Sequence, residues 1–507
     1  MDWIAQRFNF LFRSTKGLVL VAIALLALVS AFFGMLSGPM AEFGISAFWV
    51  RTFGIDLQAG DREGRIIILY HSIAMAVVAI ETYLITSMLP VTRRQQVSIN
   101  ATITVGYLNA MIFGLAFAYF GHNWIFHGLF IFGLSLVFFA GVMLAVALWP
   151  WQKKYHISDP VYAHWGRVDM ERVAFFAMAV ATLISSIFGA IPGSFFGNGF
   201  ESFLAEDVIR EPHKTALQLA VIGHLHIMLA LIAVACALLV GRWLDFKGPL
   251  HKIAMPMMAF GAVVLSMGAW MVVPFERIAH VIIYIGSGFV MLAALFLVIY
   301  GWRMLIRERL AEQKLKQASF RQKLAALLHD PLKFGALWQM VFMNFVVSGV
   351  GIFMAIQLDE IIRVWPWREE RIVLTGHWHI LATLTATILL LMYADLIGLQ
   401  GRVRRLFGWS VIIFSDLAFA AVTLFGTKRL YVGESAQQPL VNWSMALADL
   451  GLAALLVTLA LLMLWRLADL FKKDGLWKAE LAETGFLPDD EPKPPAKPNA
   501  RLGKVSK

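Results

Sequence analysis

Long, nearly uninterrupted apolar stretches alternate with short polar connections along the whole chain. A bilayer core takes about 20 apolar residues per helical crossing. In lipid the backbone must satisfy its own hydrogen bonds, so each such stretch is expected to be a helix. Twelve stretches qualify: 17–38, 66–90, 99–121, 126–149, 172–194, 216–241, 251–273, 278–302, 335–358, 372–397, 407–426 and 441–466. The pattern predicts an all-α integral membrane protein with twelve transmembrane helices.

The connections sort by charge. Arg7, Arg13 and Lys16 precede the first stretch, and each even-numbered stretch runs into a basic cluster. These clusters are Arg93–Arg94, Lys153–Lys154 with Arg167, Arg242 with Lys247 and Lys252, the segment 303–333, Arg402 with Arg404 and Arg405, and Lys472–Lys473. The opposite connections (56–65, 194–213, 359–370 and 427–439) are acidic or mixed. Basic loops stay on the cytoplasmic side. The expectation is a multi-pass protein of a bacterial-type inner membrane with both termini cytoplasmic.

Four regions follow. Helices one to eight occupy 1–302, and a basic cytoplasmic segment occupies 303–334. That segment is expected to lie amphipathically on the headgroups through Leu310, Leu324, Leu327 and Leu328. Helices nine to twelve occupy 335–470, and a cytoplasmic tail occupies 471–507, its Pro- and Lys-rich end expected to be disordered.

Composition narrows the class. The chain is 59% hydrophobic and 15% charged, against about a quarter charged for soluble domains. Its net charge of +10 sits beside apolar stretches, so it points to a membrane surface and away from nucleic acid. The single cysteine, Cys236, excludes a disulfide framework and covalent c-type haem attachment. The charged start and the absence of a small-residue cleavage site predict no cleavable signal peptide.

A register of histidines then gives the chain its candidate chemistry. Gly376-His377-Trp378-His379-Ile380 has a near copy in Gly223-His224-Leu225-His226-Ile227, offset by 153 residues (377 − 224). The same step back reaches His71, and Met75, Met228 and Leu381 keep the register, as do Gly248 and Gly401. Histidine at one position of three apolar stretches predicts a threefold repeat that holds metal inside the membrane. By the charge pattern, all five histidines lie within about three turns of the outer end of their helices. Residues i and i+2 of a helix point about 200° apart. A His-x-His pair therefore suits a helix wedged between two cofactors, one ligand to each.

These features resemble the catalytic subunit of the haem–copper oxidase superfamily, which includes cytochrome oxidases and nitric oxide reductases. The architecture is similar over all twelve stretches, as three quasi-equivalent groups of four helices. The motif likeness rests on few residues. It implies low-spin haem ligation by His71 and His379, a second haem on His377, and propionates near the basic pair Lys428-Arg429. If His379 pairs with His71, the same rotation pairs His226 with His377 and leaves His224 alone at a third cleft. Both irons would then be six-coordinate. The repeat alone equally allows His71 with His226 and His224 with His379.

The chain also departs from that family. It has no His-His pair for the second metal, and the motifs that follow the span-six histidine in oxidases are missing. His280, one turn beyond Glu276, is the histidine nearest the expected place, but it aligns with His127 and reads first as an interfacial residue. His122, His156, His164, His213, His251 and His329 lie in connections or at helix ends. Glu81, Asp416 and Asp449 fall inside apolar stretches, where a carboxylate marks a possible proton path. Arg51, Arg277 and Arg368 are further candidates for contact with propionates.

The function expected is that of a b-type haem-binding subunit of a respiratory electron-transfer complex. It would carry two haems near the outer face and relay electrons between quinol and a periplasmic partner. The chain has no soluble domain to receive electrons from a carrier. The expected company is therefore membrane lipid, a subunit bearing haem c, copper or iron–sulfur, and quinol or cytochrome c. Two other readings compete. One is an oxygen or nitric oxide reductase with an open haem on His377 and copper or non-haem iron near His224, His226 and His280. The other is a haem-free proton-coupled or metal transporter, against which the threefold repeat argues, since most secondary transporters have two repeats.

Overall fold

The computed structural model describes residues 2–37, 44–55, 62–121, 123–195, 215–315 and 317–482. His122, His213, most of the connections 56–65 and 194–213, and the tail from 483 onward lie outside the described residues. Among the described residues every regular element is helical. Among the described residues eleven helices are long and apolar enough to cross a membrane, which makes this a multi-pass membrane protein.

The elements, in chain order, are α1 (Asp2–Arg13), α2 (Thr15–Ser37), α3 (Ile45–Phe53), α4 (Arg62–Met88), α5 (Arg93–Phe120), α6 (Trp124–Ala147), α7 (Met170–Phe195), α8 (Ala216–Trp243) and α9 (Pro249–Glu312). They continue with α10 (Phe320–Leu327), α11 (Pro331–Val341), a π-helix (Phe342–Val347), α12 (Ser348–Ile356), α13 (Trp367–Leu396), α14 (Gly401–Thr427), α15 (Glu434–Phe471) and α16 (Leu476–Ala482).

Helix α9 explains the difference between eleven helices and twelve stretches. It contains 64 residues, which as a straight rod would measure roughly 96 Å. Its backbone leaves the helical region at Phe275 (φ −146°, ψ 58°), directly after Pro274, and the run doubles back. A Cβ on Gly268 would lie 2.8 Å from the Ile283 nitrogen, and one on Gly286 would lie 2.4 Å from the Leu265 nitrogen. Residues 15 or more apart can meet so closely only in an antiparallel hairpin, and only glycine permits the approach. The stretches 251–273 and 278–302 are the two arms of this one element.

The chain divides into two compact units. The first comprises Met1–Ala235, Ala259–Ser287 and Met463–Lys497. Within it α5 packs most extensively on α6, then on α4. The α5–α6 contact rests on small residues, since a Cβ on Gly133 would meet the Ala110 nitrogen at 2.4 Å. Polar pairs stitch α4 to α5: Tyr83 and Thr104 hydroxyls meet at 2.6 Å, and Thr86 donates to Asn100 Oδ1 at 2.9 Å. Such bonds are each worth about 0.6 kcal/mol in a bilayer. The buried Arg172 donates to the carbonyls of Pro90 and Ala147 and lies over the Tyr155 ring. It thereby satisfies the last carbonyl of α6, where a cation is favoured.

The second unit comprises Cys236–Met258, Gly288–Leu462 and Pro498–Lys507. Gln339 of α11 donates to Ser415 of α14 at 2.9 Å and accepts from Thr387 of α13 at 2.8 Å. Arg404 bridges Asp330, with Nη2–Oδ2 at 2.7 Å, and Asp395, which also accepts from the Trp243 indole at 2.7 Å. The turns after α8 and α13 share an unusual backbone. Asp245 (φ 54°) and Gly248 (φ 83°) in one match Gly398 (φ 74°) and Gly401 (φ 61°) in the other, at the same offset of 153 (398 − 245, 401 − 248).

Three local findings refine the sequence reading. The segment 303–334 is not one surface helix: α9 runs through Glu312, and α10 follows after a Ser319 capping box. Leu324 is exposed as expected, but Leu310, Leu327 and Leu328 are half-buried. The tail begins with an ordered helix, α16, whose Glu480 accepts from Arg466 at 2.5 Å while Asp469 caps its first turn at Leu476 and Trp477. Helix α3 was not anticipated, because nine residues are too few to stand out against the apolar stretches around them.

Candidate metal centre

The three histidine-bearing helices are α4 (His71), α8 (His224 and His226) and α13 (His377 and His379). A ring nitrogen that faces a carbonyl oxygen must carry the proton, because the oxygen only accepts. His71 Nδ1 donates to Ile67 O at 2.8 Å, His226 Nδ1 to Ile222 O at 2.8 Å, and His377 Nδ1 to Leu374 O at 2.7 Å. His224 Nδ1 instead reaches across to Ser185 O of α7, at 2.8 Å. In the neutral ring the lone pair then sits on Nε2, which is the state of a metal-ligating imidazole. His164 and His329, outside the apolar helices, make the same kind of bond. The bond therefore fixes a tautomer and does not by itself mark a ligand. The four ring positions are distinguished by lying inside long apolar helices at related positions.

The structure brings His71 and His224 together. Their ring centres are 6.3 Å apart and their planes lie within 15° of parallel. The sequence had left His224 alone at a cleft of its own. The Phe130 ring stands edge-on to His71 at 6.3 Å. His224 rests in a notch on α7, where a Cβ on Gly189 would come 2.3 Å from its Nδ1. Trp270 donates to Ser185 Oγ at 3.1 Å and ties the third arm of the notch in place. His226 is exposed on the far side of α8, as the 200° step between i and i+2 requires, and His280 lies within electrostatic reach of it. The His280 ring stacks beside Tyr284 one turn on.

In the second unit His377 borders a cavity of about 40 Å³ lined chiefly by Phe342, Val346, Val373, Gly376, Val422 and Thr423. A buried water needs roughly 10–15 Å³ measured this way, so the cavity has room for a few waters or a diatomic gas. One wall is the π-helix Phe342–Val347, an irregularity that recurs at functional sites. His379 is exposed on the opposite side of α13.

The basic pair is already engaged. Glu369, in the first turn of α13, accepts from Arg429 and lies 3.6 Å from the buried Lys428 ammonium. Burial opposes ionisation of Glu369, but the Arg429 hydrogen bond and the two cations outweigh it and hold the carboxyl below its ordinary range. Glu369 thus pairs with both cations of the basic pair. Arg51 and Arg277 are exposed, and the Arg368 side chain lies outside the described residues.

Sequence reasoning missed Arg65. It opens α4 six residues before His71, is 8% exposed, and its Nη1 is buried with no hydrogen-bond partner among the described residues. A buried guanidinium nitrogen without a partner is costly. Only its place at the edge of an apolar stretch could have flagged it.

The intramembrane carboxylates do not form a visible chain. Glu81 is buried with Oε1 unpaired among the described residues. Asp416 accepts from the Trp338 indole at 2.8 Å, which gives it a helix-pinning role. Asp449 is half-buried. Compared with known proteins, the chain matches no family model and no curated protein.

Proposed function

We propose that this protein is the haem-binding membrane subunit of a respiratory electron-transfer complex, with oxidase-like architecture and two b-type haems. One observation carries the reading. Histidines at one position of three apolar helices, spaced by 153 residues, present rings whose Nδ1 protons are committed to backbone carbonyls. Inside a bilayer a polar side chain of this kind is a functional site by default.

The repeat extends beyond the histidines. Gly223 packs on the Ala269 carbonyl and Gly376 packs on Val422, both pairs one repeat apart (376 − 223, 422 − 269). Counting the hairpin α9 as two crossings gives twelve, in three groups of four. The basic clusters then face the cytoplasm of a bacterial-type inner membrane, together with both termini.

The donor set fits haem iron, since imidazole with a fixed tautomer is a common axial ligand. Bound haem would supply the one-electron chemistry. The chain's own residues would hold it, with His71, His226, His377 and His379 as ligands, Arg65 and the Lys428–Arg429 pair offering cations to propionates, and apolar walls excluding water. The cavity beside His377 is too small for a porphyrin, so seating one there requires its wall to withdraw. The π-helix is the part of that wall whose hydrogen bonding can re-register. The redox partners would be quinol and a subunit carrying haem c, copper or iron–sulfur.

Optical and EPR spectra of the purified protein test this. Two low-spin haem signals without carbon monoxide binding are expected, and a preparation free of haem would overturn the proposal. The cavity beside His377 favours one second reading, an oxygen or nitric oxide reductase. In that reading His377 holds a high-spin iron, and His224, His226 and His280 contribute to a non-standard second metal site. A carbon monoxide-sensitive haem would select it.

A further inference from the structure

We propose that His71 and His224 are the two protein ligands of one transition-metal ion, held between their Nε2 atoms. The ion is haem iron or a bare ion of the kind that imidazole nitrogens bind. The proposal builds on the haem reading in treating these histidines as ligands, but it names a partner for His71 that neither the repeat nor the family resemblance supplies.

Spacing and tautomer carry the argument together. A metal–imidazole bond is about 2.0–2.1 Å, so two nitrogens on one ion stand about 4 Å apart and their ring centres roughly 6 Å apart. The observed separation is 6.3 Å, with planes 15° from parallel. The same separation also falls within the range of offset ring packing, so the tautomers are what point to an ion. Each ring has a single hydrogen bond among the described residues, and in each it is Nδ1 that is used. Both lone pairs therefore sit on Nε2 of half-buried rings, available to a shared ion.

The neighbourhood is built for His224 in particular. Its ring fits against α7 only because residue 189 is glycine, and Ser185 O fixes its orientation. A histidine that merely filled space would not need a second helix to set its tautomer. On the other side Phe130 and the α4 backbone fix His71.

The test uses the full chain, purified in mild detergent, with metal content by mass spectrometry, haem content by pyridine haemochrome, and EPR. His71→Ala and His224→Ala should each remove the same single equivalent of metal, while His377→Ala leaves it in place. Gly189→Ala, whose methyl displaces the His224 ring, should weaken retention of that metal about tenfold or more. Because an alanine variant can misfold, His224→Met is the second arm. It should keep the ion but change its ligand field, read by EPR for iron or Cu²⁺ and by X-ray absorption for Zn²⁺ or Cu⁺, and an unchanged coordination signature sinks the idea. Joint loss of haem assigns haem iron, and joint loss of zinc, copper or iron without porphyrin assigns a bare ion. If the preparation carries no metal, the chain is titrated with Zn²⁺ and Cu⁺, and failure of either to bind in a His71- and His224-dependent way overturns the proposal. Haem that persists in His224→Ala refutes this pairing and leaves the proposed function standing. Absence of haem with a shared bare ion does the reverse.

Discussion

His224 and His377 stand at the same position of two apolar helices, one repeat apart, yet they face different walls. Against His224 stands Gly189, and the position one repeat later (342 − 189 = 153) is Phe342. With glycine there, the His224 ring closes onto its neighbour helix and takes a carbonyl from Ser185. With phenylalanine there, the wall swells into a π-helix, the His377 ring turns back to its own helix at Leu374, and a cavity remains. The next tie follows the same offset: Trp270, which holds Ser185 in one copy, becomes Thr423, a cavity-lining residue, in the other. One register position can therefore hold a histidine closed onto another ring in one place and a histidine beside open space in another. The register sets where a histidine stands, and the residue opposite decides what it faces.

The largest expected effect separates the two sites outright. His377→Ala should abolish any carbon monoxide-sensitive absorbance and one haem equivalent, while the His71 and His224 metal persists. Loss of both together would break the comparison. Next, Arg404→Leu strands the carboxylates of Asp330 and Asp395, and removing one partner of a buried ion pair costs about 3–5 kcal/mol. The detergent melting midpoint should drop markedly, with the EPR signature of the His71 and His224 metal unchanged below the new midpoint. Phe342→Ala makes the third copy more like the second. It should cost about 1–3 kcal/mol, less than the 3–5 kcal/mol of a fully buried phenylalanine, and in the reductase reading it should speed carbon monoxide association at His377. An unchanged rate would show that the π-helix wall does not control access.

The smallest effect concerns Glu369. Its carboxyl is depressed in the folded state, so its bond with Arg429 and Lys428 contributes fully above the ordinary carboxylate pKa. That contribution fades as pH falls through the lower folded value. Glu369→Gln should lower thermal stability at neutral pH by no more than about 1 kcal/mol, as for other accessible ion pairs. The difference from wild type should vanish in acid. If haem propionates share Lys428 and Arg429, the same substitution will also shift the haem midpoint potential.

The apolar stretches and the histidine register were readable because each is periodic: one by the thickness of a bilayer, the other by a repeat of fixed length. Even the two arms of α9 were legible, although they form one unbroken run, since Pro274, Glu276 and Arg277 interrupt the apolar pattern. The closeness of His71 and His224 was not legible. It depends on the absence of a Cβ at Gly189 and on the azimuths of three helices, which no pattern along one chain encodes. Nor was the burial of Arg65, which looks like any other charge at a helix start, or the pairing of Glu369 with a basic pair sixty residues away. The π-helix at Phe342–Val347 has no local composition that sets it apart from the α-helix around it.

The fold-back at Phe275 ties the two arms of α9 at one end. A turn of one non-helical residue leaves no slack there, so residues inserted between Phe275 and Glu276 would loosen the arms and leave them held by close contacts such as Gly268 on Ile283 and Gly286 on Leu265.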